Sequence, residues 1–288
     1  MIRCREIGPS DLEAIADLLT RGFVGRARGY WTAGLRRQAM RNVPEGFPRF
    51  GYMLDHEGRP VGVLLLIYTT RDEADESALC CNLSSWYVEP AFRNYAPMLT
   101  KIAQRHKDVT YINISPASWT WRIIEAQGFQ AYCSGLFISF PALSRPGNGM
   151  GLEIVPEEAR TIEGLSATEV ALLARHAAYG CLSLVCRAPD GRVFPFILQP
   201  MRLRRGGIAP PVMQLIYCRD VAEYVACAGV IGRFLLKRGK ISVALDANGP
   251  VEGLLGLYTE ARGRKYFKGP HCPRLADLAD TELVIYGP

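Results

Sequence analysis

The pattern of apolar and polar residues predicts that strands and helices alternate along the first half of the chain. Ser10 and Glu13 form a capping box ahead of apolar residues at helical spacing, so a helix begins there. The apolar run Val61 to Thr69 predicts a strand that pairs with the preceding one as a hairpin. An acidic loop is predicted at 72–77. The predicted strands are 3–7, 50–54, 61–69, 79–88, 109–114 and 132–140, and the predicted helices are 10–19, 30–40, 97–105 and 119–126.

The second half of the chain repeats this order of elements, although its amino-acid sequence is different. Residues 141–151, rich in proline, glycine, serine and asparagine, have no apolar period and predict a linker. Ser166 and Glu169 form a second capping box ahead of a helix. The elements predicted after the linker are strands at 152–155, 181–187, 193–200, 199–203, 212–218, 241–245 and 283–286, and helices at 166–178, 221–237 and 253–262. A repeat of element order at an offset of about 130 residues favours a duplicated fold.

Composition narrows the class of protein. The chain has 288 residues, of which 49% are hydrophobic and 22% are charged, as in globular proteins with a normal core. The best apolar run, Val61 to Tyr68, is eight residues long, whereas a membrane-spanning helix needs about 20. The N-terminus lacks the apolar segment of a secretory signal. We therefore expect two α/β domains of about 140 residues each, and neither a disordered nor a membrane-spanning protein.

The net charge and the cysteines of the chain do not identify its binding partner. The net charge is +6, and the densest basic cluster, Arg202, Arg204 and Arg205, is either a solvated surface or a site for an anionic partner. The anionic partner could be coenzyme phosphates, an acidic acyl carrier protein or nucleic acid, since each of these is negatively charged. Nucleic acid is disfavoured because the sequence has neither zinc-finger spacing nor an aromatic–basic repeat. Nine cysteines without a CxxC pair predict reduced thiols in a cytoplasmic protein, and four dispersed histidines predict no metal site.

Two segments of the first half carry a family pattern. The run Val88 to Leu99 reads VEPAFRNYAPML, in which a strand ends in Val-x-Pro and a basic residue precedes a helix start. A turn that enters a helix points backbone N–H groups outward and binds pyrophosphate with the help of the helix dipole. The second segment is the end of a short helix, Glu125 to Phe129, which reads EAQGF. With the order of elements, which covers nearly all of the first half, these segments resemble the GNAT N-acetyltransferase superfamily.

The resemblance implies a mixed α/β fold with two GNAT-like domains in tandem, an acyltransferase domain at 1–143 and a second domain at 152–288. Each domain would have a mostly antiparallel central sheet with one parallel, splayed strand pair. The resemblance also implies acetyl-CoA or another acyl-CoA as co-substrate and an amine as acceptor. A backbone N–H of the strand Cys81 to Val88 would polarise the thioester carbonyl. The residues implied to bind the coenzyme are Tyr87, Val88, Arg93, Asn94, Tyr95, Ala96 and Met98.

The sequence departs from the family pattern at the loop and at the catalytic tyrosine. Three glycines of the family loop are replaced, and Pro97 has no N–H to offer a phosphate. The position of the family's general-acid tyrosine is Ile124. In the second half, Tyr258 stands at the equivalent place on a predicted short helix and is the candidate catalytic acid; the other interpretation is an aromatic that packs on the sheet. Asp246 and Asn248 either orient a substrate amine or form a turn.

Two functions follow from these features. The first is an N-acyltransferase that moves an acyl group, acetyl being the expected one, from acyl-CoA to an amine of a small molecule or another acceptor. The second is a non-catalytic acyl-CoA-binding or assembly module whose coenzyme loop has eroded. Arg93 and the Val-x-Pro sequence favour the first, whereas the missing glycines and Pro97 favour the second. Acetyl-CoA should raise the melting temperature in both cases, but only an enzyme releases free thiol when amines are supplied.

Overall fold

The computed structural model describes residues 1–73, 76–147, 149–201 and 211–287, of which 71–73 and 76–77 are described for the backbone only. The arginine cluster at 202–205 and the turn predicted at Gly206–Gly207 lie outside the described residues. The chain forms two compact units. Unit 1 contains Met1–Gln130, Tyr266–Cys272 and Asp280–Gly287, and unit 2 contains Ala131–Lys265 and Pro273–Ala279.

Unit 1 is built on a seven-stranded sheet with the strand order β1-β2-β3-β4-β5-β14-β6. The strands of this sheet are β1 (Ile2–Glu6), β2 (Gly51–His56), β3 (Arg59–Glu73), β4 (Glu76–Val88), β5 (Thr110–Asn113), β6 (Gln130–Cys133) and β14 (Lys265–Lys268); residues 131–133 of β6 and residue 265 of β14 are counted with unit 2. Its helices are α1 (Leu12–Gly22), α2 (Arg28–Ala39), α3 (Ala96–Ala103), α4 (Trp121–Ala126) and α7 (Glu282–Ile285). The β4–β5 pair is parallel, and the pairs β1–β2, β2–β3, β3–β4 and β5–β14 are antiparallel.

Unit 2 is built on a second seven-stranded sheet, with the order β13-β7-β12-β11-β10-β9-β8. Its strands are β7 (Gly135–Ser139), β8 (Gly151–Ile154), β9 (Leu182–Arg187), β10 (Val193–Met201), β11 (Val212–Tyr217), β12 (Ser242–Ala247) and β13 (Gly256–Thr259), and its helices are α5 (Ala167–Ala178) and α6 (Val221–Leu236). Here too one pair, β11–β12, is parallel, and the other pairs are antiparallel. The expected sheet type, mixed and with a parallel pair in each half, is confirmed.

The apolar run in β3 explains why unit 1 has helices on both faces of its sheet. Successive side chains of a strand point to opposite faces. Leu64 and Leu66 join a core that includes Leu99 of α3 and Ile124 of α4. The alternate residues of β3 join a second core with apolar side chains of α1, α2 and α7. A strand buried on both faces reads as a continuous apolar run, as this one does.

The units are not contiguous in sequence, in contrast to the expected boundaries 1–143 and 152–288. Strand β7 lies before residue 143 but belongs to the second sheet, and β14 lies late in the chain but belongs to the first. Residues 280–287 also belong to unit 1. The apolar pattern predicts that a segment is a strand, but it carries no information about the sheet that the strand joins.

Several predicted elements are confirmed and others are wrong. The capping box of Ser166 and Glu169 starts α5, whereas Ser10 and Glu13 form no such box: the N-terminal helical segment begins after Gly8, whose N–H donates to Oδ2 of Asp11 at 2.8 Å. The predicted helix 253–262 contains strand β13, and the predicted strand 283–286 is helix α7. Four residues of the predicted acidic loop belong to strands β3 and β4, in which Asp72 pairs with Ser77 and Glu73 with Glu76; residues 74–75 of that loop lie outside the described residues. Short apolar runs fit either conformation, so the neighbouring elements decide.

Candidate functional site

The parallel strands β4 and β5 separate within unit 1. They pair at only three positions, from Cys80 opposite Thr110 to Asn82 opposite Ile112. Strand β4 continues for six residues, to Val88, and on this side it has no strand partner among the described residues. The separation leaves a cleft edged by backbone N–H and C=O groups, which are obligatory hydrogen-bonding groups. We call it the β4–β5 cleft.

A β-bulge shapes the part of β4 that borders the cleft. The register against β3 shifts between Val63 and Leu65, so Ser85 and Trp86 of β4 face a single residue of β3. Ser85 has a φ of 52°, which is uncommon for a residue other than glycine. A bulge bends its strand and re-aims the side chains around it. Trp86 packs at the edge of the core beside α3 and Tyr87 at the edge of the opposite core, as expected for neighbours on a strand.

Asn82 lies where the strands begin to separate, and its amide group bonds to both. Its Nδ2 donates to the carbonyl of Leu83 on β4 at 3.1 Å and to that of Ile112 on β5 at 3.4 Å. Its Oδ1 accepts a hydrogen bond of 2.8 Å from the backbone N–H of Glu282, the first residue of α7. The buried Asn82 therefore fixes the start of α7 at the inner end of the cleft.

Glu282 is a functional candidate that the sequence analysis does not identify. The residue is half-buried, and its carboxylate accepts a hydrogen bond of 2.5 Å from the hydroxyl of Ser115. Ser84 of β4 also lies within hydrogen-bonding reach of this carboxylate. Desolvation raises the pKa of Glu282 above its ordinary value, and the two serine hydroxyls oppose that shift by stabilising the charged form. Asn82 and Ser84 stand out as polar residues of an apolar strand, whereas nothing in the sequence near Glu282 connects it with them.

The predicted coenzyme segment follows β4 directly. Residues 90–95 form a short 3₁₀ helix that leads into α3. The side chains of Arg93, Asn94, Tyr95 and Met98 are exposed and that of Ala96 is half-buried. The structure thus places these five residues on one short surface segment beside the cleft. The first turn of α3 contains no acidic residue, so the positive end of its dipole is not neutralised.

The two other coenzyme candidates lie at the end of β4. Val88 is buried in the core beside α3, so only its backbone is available to a ligand. The ring of Tyr87 is half-buried and packs against Gly22. Glu89 comes next and is bonded to Arg59 at 3.0 Å and to Arg21 at 3.1 Å. Because these cations hold the pKa of Glu89 below its ordinary value, Glu89 is a poor base at neutral pH.

Unit 2 contains the corresponding parallel pair, but there the edge is covered. Strands β11 and β12 also pair at only three positions. Beyond them, the N–H of Leu278 donates to the carbonyl of Ile216 at 2.8 Å, and the N–H of Cys218 donates to the carbonyl of Ala276 at 3.1 Å. The chain segment 276–278 therefore occupies the edge of β11 that its counterpart β4 leaves without a strand partner.

The start of α6 in unit 2 is acidic. Asp220 caps the helix through a hydrogen bond of 2.9 Å from the N–H of Ala222, and Glu223 lies in the first turn. The only basic residue of this junction, Arg219, is bonded to both carboxylate oxygens of Glu169. Carboxylates at a helix N-terminus satisfy its dipole and repel phosphate.

Tyr258 lies on the edge strand β13 and not on a helix, which corrects the predicted placement. Tyr258 pairs with Phe137 of β7 in the sheet, and its hydroxyl donates to Oε1 of Glu260 at 3.3 Å. Partial burial and Glu260 raise the pKa of Tyr258. Asn248 makes two long-range hydrogen bonds: its Oδ1 accepts from the N–H of Ser134 at 2.7 Å, and its Nδ2 donates to the carbonyl of Tyr132 at 3.0 Å. These bonds tie Asn248 to the segment where β6 ends and β7 begins, a role that the sequence analysis does not predict.

Asp246 is paired inside unit 2. Its Oδ1 accepts a hydrogen bond of 2.7 Å from Nζ of Lys265, and both side chains are buried. Such a pair is retained because each charge would be costly to bury alone.

Among the described residues, no group of three or more histidine, cysteine or acidic side chains could hold a metal ion. Within the same residues, none of the helices has the length and apolar character needed to cross a membrane.

Comparison with known proteins shows the fold. No family model and no curated protein matches the sequence. A GCN5-related N-acetyltransferase from Anabaena variabilis matches with a TM-score of 0.59 and 11% identity, over 93% of this chain and 72% of that one. One from Kribbella flavida matches with a TM-score of 0.58 and 14% identity, over 96% and 72%. N-myristoyltransferase from Saccharomyces cerevisiae, solved with bound myristoyl-CoA and inhibitors, matches with a TM-score of 0.50 and 11% identity, over 92% and 79%.

The expected fold class is confirmed by these similarities. The chain has the mixed α/β fold of the GNAT superfamily, with two GNAT-like domains in tandem. At identities of 11% and 14% the similarity concerns the fold, because one fold hosts many functions. Function has to be argued from the β4–β5 cleft.

Proposed function

We propose that the chain is an N-acyltransferase, which moves an acyl group from acyl-CoA to an amine of a small molecule or another acceptor, and that unit 1 carries out the transfer. The observation that carries this proposal is the β4–β5 cleft, whose backbone groups are available to an extended ligand. Support comes from the structural neighbours, which include N-acetyltransferases and an N-myristoyltransferase solved with an acyl-CoA. Acetyl-CoA is the co-substrate to test first.

The coenzyme would lie along the cleft, with its phosphates at the start of α3. Arg93 is exposed, and no acidic partner for it is present among the described residues. Asn94, Tyr95, Ala96 and Met98 line the same segment. Tyr87 and the backbone of Val88 would border the pantetheine arm. A β4 backbone N–H that faces the cleft would polarise the thioester carbonyl as it becomes an oxyanion.

The alternative function is a non-catalytic acyl-CoA-binding module. Pro97, the second residue of α3, removes one N–H from the phosphate cradle, and the missing glycines restrict the approach of the backbone. An N-acyltransferase and a binding module would both bind acetyl-CoA, so a binding measurement cannot distinguish the two functions. An enzyme releases free thiol from acetyl-CoA in the presence of primary amines, at a rate well above hydrolysis without amine. If acetyl-CoA raises the melting temperature and no primary amine accelerates thiol release, the binding module is the correct function.

Arg93→Ala tests the placement of the coenzyme. A charged hydrogen bond at a partly exposed site contributes about 1–2 kcal/mol, so the Kd for acetyl-CoA should rise by about 5- to 30-fold. Isothermal titration calorimetry measures this directly. Arg3→Ala is the matched control, because Arg3 is an exposed arginine on β1, three strands away from β4. An unchanged Kd for Arg93→Ala, or an equal loss in both variants, would contradict the placement.

A further inference from the structure

Glu282 differs from the other partly buried carboxylates of unit 1 in having no cation. Glu89 is bonded to Arg59, and Asp280 lies 3.6 Å from Arg41. Among the described residues, no lysine, arginine or histidine nitrogen lies within 4.0 Å of the Glu282 carboxylate, whose hydrogen-bond donors are neutral serine hydroxyls. Burial of a carboxylate without a cation is unfavourable. A cationic group that entered the β4–β5 cleft would relieve this cost.

The negative charge of Glu282 has one structural role, a favourable position in the first turn of α7, and that helix is only four residues long. The hydrogen bond that anchors α7 comes from the backbone N–H of Glu282, not from its side chain. The helix has no side-chain cap, so the carboxylate does not serve as one. Ser115 and Ser84 could also donate to the carbonyl oxygen of a glutamine, through weaker bonds than those to a carboxylate. The charge itself therefore points to a ligand.

The titratable groups that face Glu282 carry no charge at neutral pH. The titratable side chains whose pKa its charge affects are Tyr30 of α2 and Tyr286, which follows α7, and both are neutral at pH 7 because burial raises their pKa. Strand β4 and the segment after β5 present the hydroxyls of Ser84 and Ser115, which do not titrate. Asn82 holds the backbone N–H of Glu282 at the inner end of the cleft, where the thioester would lie.

We propose that Glu282 binds the ammonium group of the acceptor in the β4–β5 cleft and accepts its proton, so that the acceptor class is a primary amine that arrives as a cation. This inference rests on the proposed function. One proton passes from R–NH₃⁺ to the carboxylate, and the neutral nitrogen attacks the thioester carbon. The C–N bond forms and the C–S bond breaks. The thiolate leaves with the electron pair and takes the second nitrogen proton, while Glu282 returns its own proton to water.

Glu282→Gln tests this role in the full-length chain. The acceptor is the amine that gives the fastest thiol release in a panel of primary amines with acetyl-CoA. Loss of a general base typically costs at least about 100-fold, so we expect kcat/KM for the amine to fall about 100-fold at pH 7. The Kd for acetyl-CoA should stay within about 2-fold. Glu45→Gln, an exposed carboxylate in the loop after α2, is the control and should keep full activity.

The pH profile separates a proton acceptor from a structural residue. Amine transfer should fall as the pH drops through the pKa of Glu282, and this acidic limb should lie above the ordinary glutamate range near pKa 4.3, since desolvation raises that pKa. Glu282→Gln should lack the limb. Ser115→Ala removes a bond that stabilises the carboxylate, so the limb should move to higher pH.

Three outcomes are possible. Loss of amine transfer with intact acetyl-CoA binding and loss of the acidic limb supports the role of Glu282. Amine transfer by Glu282→Gln within about 3-fold of the parent, or an unchanged acidic limb, overturns it and leaves the proposed function standing. If no amine in the panel is acetylated by the parent protein, the proposed function itself fails, and the role of Glu282 fails with it.

Discussion

At the residue scale, the hydroxyl of Tyr258 is the candidate general acid for the leaving thiolate. The hydroxyl lies at the edge of unit 2 and donates to Glu260. Its raised pKa keeps the proton in place at neutral pH, as a general acid for a thiolate requires. Because Tyr258 lies on a strand and not on the predicted helix, the match to the family's tyrosine position no longer supports the assignment. Tyr258 as catalytic acid stays a prediction.

Tyr258→Phe tests this assignment with little effect on packing, because only the hydroxyl is removed. If Tyr258, in place of the second nitrogen proton, supplies the proton to the leaving thiolate, thiol release with acetyl-CoA and amine should fall by about 100-fold, with an unchanged melting temperature. Tyr179→Phe, which removes a hydroxyl just after α5 in unit 2, should leave the rate unchanged. Turnover of Tyr258→Phe within about 3-fold of the parent would assign its hydroxyl to Glu260 alone.

The residues of the β4–β5 cleft differ in how far the sequence could predict them. Asn82 and Ser84 could be singled out, because polar side chains inside an apolar strand are costly unless they are bonded. Arg93 could be found through the family pattern. Glu282 could not, because 200 positions separate it from Asn82 and the segment after it reads equally well as a strand. Long-range packing alone brings these two residues together.

At the element scale, the segment 132–140 divides between two sheets. One strand is predicted there, but the structure has β6 up to Cys133 and β7 from Gly135. Gly135 permits a close approach of backbones: a Cβ added to it would lie 2.3 Å from the carbonyl oxygen of Thr259 on β13. The apolar pattern continues through the break, so it shows neither the break nor the change of sheet. The parallel pairs could be predicted because the order of strands and helices sets them.

Gly135→Ala should destabilise unit 2. The added methyl group would have to displace the backbone of β13, and overpacking of this kind typically costs about 1–3 kcal/mol. Urea unfolding should show a lower midpoint for Gly135→Ala at an unchanged slope. Gly151→Ala is the control, since Gly151 begins strand β8 of the same sheet and a Cβ there would meet nothing within 4 Å. Equal midpoints for the two variants would show that β13 moves aside freely.

At the scale of the whole molecule, a duplicated fold does not imply a duplicated site. Both units separate a parallel strand pair after three residue pairs. In unit 1 the freed strand edge borders a cleft with Glu282, whereas in unit 2 the segment 276–278 bonds to it. The sequence predicts the duplication through its repeated order of elements. It could not predict this difference, because backbone hydrogen bonds made by residues some 60 positions away leave no pattern in the side chains.

The number of coenzyme molecules bound per chain tests this asymmetry. We expect isothermal titration with acetyl-CoA to give one site per chain, because unit 2 has a covered strand edge and an acidic helix start at Asp220 and Glu223. The double variant Asp220→Asn, Glu223→Gln removes both charges but leaves the segment 276–278 in place, so it too should bind one equivalent. A stoichiometry near two in the parent would show that acetyl-CoA displaces segment 276–278. A second site in the double variant alone would show that charge, and not the covered edge, excludes the coenzyme from unit 2.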